Sequence, residues 1–141
     1  MRTILVGVDR SDASTRAVEY AAEEARESHS ALALVHVINW SRYSFTTNEE
    51  NATRHLERQR EVEAAQREVI DPLTEILEGV EFTTSIRFGK PSEVLADLAR
   101  DEGHSLVFVA RTGDSGLREA IFGSTASRLV QHATVTVVVV P

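Results

Sequence analysis

Five apolar runs punctuate the chain, and the stretches between them carry apolar residues at helical spacing. Thr3 to Val8 reads as a buried strand. From Asp12 to about Ser28, residues Ala17, Val18, Ala21, Ala22 and Ala25 share one face of a helix that Ser11 or Asp12 can cap. Ala31 to Ile38 is the second strand. Asn39 to about Glu49 is polar with Trp40, Tyr43 and Phe45 interleaved, and reads as a loop. Asn51 to Glu78 is expected to be a long charged helix, kinked or broken at Pro72. Its apolar stripe is Leu56, Val62, Ala65, Val69, Leu73, Ile76 and Leu77. Val80 to Phe88 is the third strand, with Phe82, Thr84, Ile86 and Phe88 on one face. Pro91 suits the first turn of a helix running to about Glu102. Ser105 to Ala110 is the fourth strand, Ser124 to His132 the last helix and Thr134 to Val140 the last strand.

Strands alternating with helices imply an α/β fold: an open five-stranded parallel sheet with helices on both faces. The first and last strands lack apolar–polar alternation, as expected for burial on both faces. In such folds ligands bind beyond the carboxyl ends of the strands. Those ends carry Gly7-Val8-Asp9, Val37-Ile38, Phe88-Gly89 and Ala110 to Gly113.

The last third of the chain holds the best chemical clue. A glycine-bearing loop follows the fourth strand, and nine residues after Gly113 comes Gly123, at the mouth of the last helix. Glycine lets backbone N–H groups approach a ligand without an intervening side chain. A helix N-terminus offers unpaired donors and the positive end of the dipole. Gly113, Gly123 and Ser124, with Thr125 and Ala126 in the first helical turn, therefore form a candidate phosphate cradle, and Arg111 and Thr112 lie in its loop. The same residues also fit a plain turn glycine, a helix-entry glycine and an N-cap serine.

The 141 residues suit one domain, 1–141, and no linker or repeat divides them. The formal net charge is −7, and no basic run exceeds two residues, which argues against nucleic-acid binding. No apolar run approaches the ~20 residues of a transmembrane helix, so no membrane role is expected. The start of the chain lacks a signal-peptide pattern and cysteine is absent, which together suit the cytoplasm. His29, His36, His55, His104 and His132 show no metal-ligand spacing. No nucleophile–base set, Walker lysine or nucleophile elbow is visible, so no catalytic residue is assigned. A two-component receiver domain would need an aspartate where Phe88-Gly89 stands and a lysine near Pro141, and is rejected.

Ala110-x-x-Gly113, nine residues, then Gly123-Ser124 resembles the nucleotide signature of the universal stress protein family, with alanine in place of the first glycine. Ile4-Leu5-Val6-Gly7-Val8-Asp9-Arg10-Ser11, Leu34-Val35-His36-Val37, Gly89-Lys90-Pro91-Ser92-Glu93 and the closing valine strand match in the same order, over essentially the whole chain. The resemblance implies an adenine-nucleotide-hydrolase-like, Rossmann-type three-layer sandwich with strand order 3-2-1-4-5. It implies ATP as ligand, with Mg2+ or Mn2+ carried by the phosphates. Asp9 would accept at the adenosine end, and Val37 would offer its backbone to adenine. Gly7, Val8, Val109, Ala110 and Thr112 would complete a site whose phosphates lie at Gly113, Gly123, Ser124, Thr125 and Ala126. A homodimer through Val135–Val140 is expected, because an exposed valine edge strand invites pairing. The implied role is an ATP sensor or switch acting on an unknown protein partner. An ATP-independent interaction module, for which Ala110 speaks, and a slow ATPase are the alternatives.

Overall fold

The computed structural model describes residues 1–39, 48–113 and 123–141. Trp40, Tyr43 and Phe45, and the connection 114–122, lie outside the described residues.

The elements follow the expected alternation: β1 (Thr3–Val8), α1 (Asp12–Ser28), β2 (Ala31–Ile38), α2 (Asn48–Ala65), α3 (Asp71–Thr74), β3 (Phe82–Phe88), α4 (Pro91–Asp101), β4 (Leu106–Ala110), α5 (Ser124–His132) and β5 (Thr136–Val140). All pairings are parallel and the strand order is β3-β2-β1-β4-β5. Val8 pairs with His36, Val6 with Phe108 and Ala110 with Val140, which brings the carboxyl ends of four strands level.

Side chains alternate across the sheet, so β1 feeds two cores. Ile4, Val6 and Val8 pack with Ala17, Val18, Ala21, Ala22 and Ala25 of α1. Leu5 packs on the opposite side with Leu95 and Ala99 of α4 and Ala126 and Leu129 of α5. Burial on both faces accounts for the continuous apolar run of β1. The edge strand β3 differs. Of the residues placed on one face of this strand, Phe82 is 40% exposed, while Ile86 packs on the α1 side.

The long second helical segment departs from expectation at Pro72. The chain is not broken there. A π-helical turn spans Gln66–Ile70 between α2 and α3, and the Asp71 N–H donates to the Gln66 carbonyl, five residues back. Proline lacks an N–H and its ring crowds the carbonyl four residues before it. Widening the preceding turn relieves that conflict while the helix continues. Adjacent Val69 and Ile70 are both in the core, and Ile70 is absent from the stripe expected from spacing. Leu56, placed on that stripe by its spacing, is instead 55% exposed. The helix also ends earlier than Glu78, at Thr74.

Two buried histidines tie the two ends of β1. His104 Nδ1 lies 2.8 Å from the Thr3 carbonyl oxygen and its Nε2 lies 3.1 Å from Glu102 Oε2. His36 Nδ1 lies 2.8 Å from the Val8 carbonyl oxygen. Among the described residues, no group of three or more His, Asp or Glu can hold a metal ion, and no helix is long and apolar enough to cross a membrane.

Candidate functional site

The strand order reverses between β1 and β4, and the carboxyl ends of β1, β2 and β4 open there on a cavity of about 450 Å³. A switch point of this kind is where a crevice forms in an open parallel sheet. From β1 come Gly7, Val8 and then Asp9; from β2 comes Val37. Val109, Ala110, Thr112 and Gly113 line it from β4 and its loop. Gly123, Ser124, Thr125 and Ala126 close it from the start of α5. Gly7, Val8, Asp9, Val37, Val109, Ala110, Thr112, Gly113 and Gly123 to Ala126 thus line one hollow, whereas Arg111, in the same loop, is not part of its lining.

Asp9 is held by the helix it precedes. Its Oδ1 accepts from the Ser11 N–H at 2.9 Å, from the Ser11 hydroxyl, and from the Ser14 hydroxyl at 2.9 Å. The Asp9 N–H in turn donates to Ser14 Oγ at 2.8 Å. Ser11 occupies the N-cap position without making a side-chain cap bond, so its hydroxyl serves the carboxylate and not the helix, contrary to the expected capping role. An Asx-type turn of this kind fixes the carboxylate direction before any ligand arrives.

Close approach distinguishes Gly113 and Gly7 from Gly123. A β-carbon on Gly113 would stand 2.5 Å from Asp9 Oδ2. One on Gly7 would stand 2.5 Å from Leu95 Cδ1 and 3.3 Å from Val109 Cγ1, so α4 can seat against β1 only over a bare backbone. One on Gly123 would meet the Gly113 nitrogen and Thr112 Cα at 3.4 Å. None of these three has a φ in the left-handed region. Ala110, standing where the signature has glycine, is the last residue of β4, and its methyl packs toward the α1-side core. Among the described residues the only non-glycine with positive φ is His29, so the backbone at Ala110 suits alanine.

The cradle of amides is smaller than the sequence implied. The Gly123 N–H donates to the Arg111 carbonyl at 2.7 Å, so it is spent inside the loop. The Arg111 N–H donates to the Val140 carbonyl at 2.7 Å and anchors the loop to β5. The first helical bond of α5 runs from the Ser127 N–H to the Gly123 carbonyl at 3.0 Å. The amides of Ser124, Thr125 and Ala126 precede it, at the positive end of a nine-residue helix.

Several lining residues were not foreseen as contacts: Ser14, His36, Glu61, Pro91 and Leu95. A polar residue inside an alanine stripe (Ser14) and a histidine inside an apolar strand (His36) were the available signals. Arg10 also lines the cavity and pairs with Glu68 of the π-turn. Lys90 lies 4.0 Å from Glu93, away from the lining.

The sequence profile of the universal stress protein family matches residues 1–141. A universal stress protein of Mycolicibacterium smegmatis is 36% identical over 97% of this chain, and the chain spans about half (47%) of that relative's length. Universal stress protein YxiE of Bacillus subtilis is 28% identical over 97% of both chains. The solved structure of UspA from Lactobacillus plantarum superposes with a TM-score of 0.81 at 25% identity, covering 99% of this chain and 97% of its own. A universal stress protein solved with cAMP (22% identity, TM-score 0.72, 99% and 97% coverage) and one from Archaeoglobus fulgidus solved with dAMP (22%, 0.71, 100% and 98%) share the fold. The chain belongs to the universal stress protein family.

Proposed function

We propose that the cavity at the β1/β4 switch point binds an adenine nucleotide, ATP being the ligand the signature implies, and that occupancy acts as a switch. The observation that carries this is the convergence of Asp9, Val37, Gly113 and the start of α5 on one hollow of about 450 Å³, within the usual ~300–1,000 Å³ of ligand sites. The bare Gly113 beside a fixed Asp9 carboxylate is a cradle that a β-carbon would fill. The amides of Ser124, Thr125 and Ala126 supply donors for a phosphate, and the Ser124 hydroxyl can join them. Family members solved with cAMP and dAMP support an adenine ligand. A divalent cation would arrive with the phosphates, which supply most of its ligands.

The switch works by differential affinity. A ligand held by Thr112, Gly113 and the α5 N-terminus favours the arrangement of the connecting chain that completes those contacts, and so alters a surface offered to a partner protein. The protein acts in the cytoplasm as a homodimer paired through β5, which among the described residues is an edge strand of the sheet. Isothermal titration with ATP and AMP tests the reading: saturable heat abolished by Gly113→Val supports it, and no heat from either ligand refutes it.

One observation favours a second reading, an interaction module of the same family that works without ATP. The Gly123 amide, a donor the signature would aim at phosphate, is bonded to Arg111. Purified protein free of nucleotide and silent in the titration would select that reading.

A further inference from the structure

We infer that His36 reads a hydrogen-bond donor on the nucleoside part of the ligand through its Nε2 atom; the inference rests on the nucleotide reading above. His36 is 7% exposed and lines the cavity. Its Nδ1 sits 2.8 Å from the Val8 carbonyl oxygen. A carbonyl only accepts, so Nδ1 carries the hydrogen. The neutral ring then presents Nε2 as a lone-pair acceptor. Among the described residues Nε2 has no hydrogen-bond partner.

His104 provides the internal comparison. It is equally buried, at 7%, and also holds a β1 carbonyl through Nδ1. Its Nε2, however, is engaged by Glu102 at 3.1 Å. His104 is therefore a structural tie with both nitrogens used, and it does not line the cavity. His36 is the half-used histidine, and it opens on the ligand space. A lone pair left free on a residue that lines a cavity is available to a ligand's donor.

The chemistry of the acceptor narrows that group. An ionised phosphate has no hydrogen to give and would repel a lone pair. A nucleotide's donors are the sugar hydroxyls and the exocyclic amine of the base. His36 stands on β2 and pairs in register with Val8, next to Asp9, whereas the α5 amides lie across the cavity beyond β4. The two acceptors Asp9 and His36 thus mark the nucleoside end and the helix N-terminus marks the phosphate end. The shared ligand chemistry is an O–H or N–H donor, and sugar and base are separated by experiment.

The test is calorimetric titration of AMP, its 2′-deoxy and 3′-deoxy forms, and purine riboside 5′-monophosphate, which lacks the amine, into wild type and His36→Asn. Asparagine places an N–H where Nδ1 was, keeping the Val8 bond, but has no atom at Nε2. Wild type should lose about tenfold in affinity for the analogue lacking the donor that His36 reads. His36→Asn should bind AMP about tenfold more weakly than wild type and lose nothing further with that one analogue. His104→Asn should leave the affinities unchanged. Equal AMP binding by wild type and His36→Asn, or a uniform loss across all the analogues, overturns the inference while leaving the nucleotide site intact. Absence of binding by wild type overturns both. Nitrogen-15 NMR of wild-type protein decides independently of any variant's folding: the neutral His36 ring should carry its hydrogen on Nδ1, and a ring protonated on Nε2 contradicts the proposal.

Discussion

Asp9 Oδ2 lies 2.5 Å from the point where a β-carbon on Gly113 would stand, so the carboxylate after β1 and the glycine after β4 occupy one shared space. Neither can be understood alone. The carboxylate is pinned by Ser11 and Ser14, so it cannot retreat from an added methyl group without breaking those bonds.

Gly113→Ala should therefore destabilise the fold by about 1–3 kcal/mol and lower nucleotide affinity about tenfold or more. Gly123→Ala should cost less than about 1 kcal/mol, because its nearest neighbours would stand at 3.4 Å, ordinary contact distance. Chemical denaturation of both variants checks the contrast, and equal costs would contradict the packing argument.

Ser14 is 2% exposed and serves Asp9 twice, accepting from its N–H and donating to its carboxylate. Ser14→Ala removes both of these bonds, at an expected cost of about 1–3 kcal/mol. Nucleotide affinity should fall with it, since the Asp9 carboxylate loses one of the groups that orient it. Thermal unfolding and titration of the same sample separate the two effects.

Gly7→Ala should destabilise by about 1–3 kcal/mol through overpacking against Leu95, whose Cδ1 would be 2.5 Å away. Leu95 is 2% exposed, so Leu95→Val alone opens a void and also destabilises. Combined, the two changes should cost less than their sum. Strict additivity in a double-mutant cycle would show that the two residues are not in conflict.

The proposed dimer makes a backbone prediction. Val140 bonds toward β4, so the N–H and C=O of Val137 and Val139 point to the open edge. Val137→Pro removes an outward donor without touching the β4 ladder, a place where proline is tolerated. Sedimentation equilibrium should give a dimer for wild type at micromolar concentration and a monomer for the variant. A wild-type monomer would refute the dimer.

Strand positions and the alanine face of α1 were legible because apolar periodicity dictates them, whereas the strand order was implied by the family resemblance. The burial of Ile70 beside Val69 was not legible: both lie in a π-turn before Pro72, which shifts the phase of the apolar stripe in a way that spacing alone does not reveal. At the site, the identity of the lining glycines could be read from spacing, but their reason could not. Gly113 and Gly7 are bare because Asp9 and Leu95 come from elsewhere in the chain to meet them. Spacing likewise placed Gly123 correctly without showing that its amide is committed to Arg111. His36 was visible as a polar interruption of β2, but only its tie to Val8 shows which nitrogen is already engaged.

The most direct measurement is a titration of nitrogen-15-labelled protein with AMP and ATP, following backbone amides. The account predicts saturable shifts concentrated at Asp9, Val37, Gly113 and Ser124 to Ala126, with the Gly123 amide moving less because its hydrogen is already given to Arg111. No shift at millimolar nucleotide, or shifts centred away from the β1/β4 crevice, would contradict it.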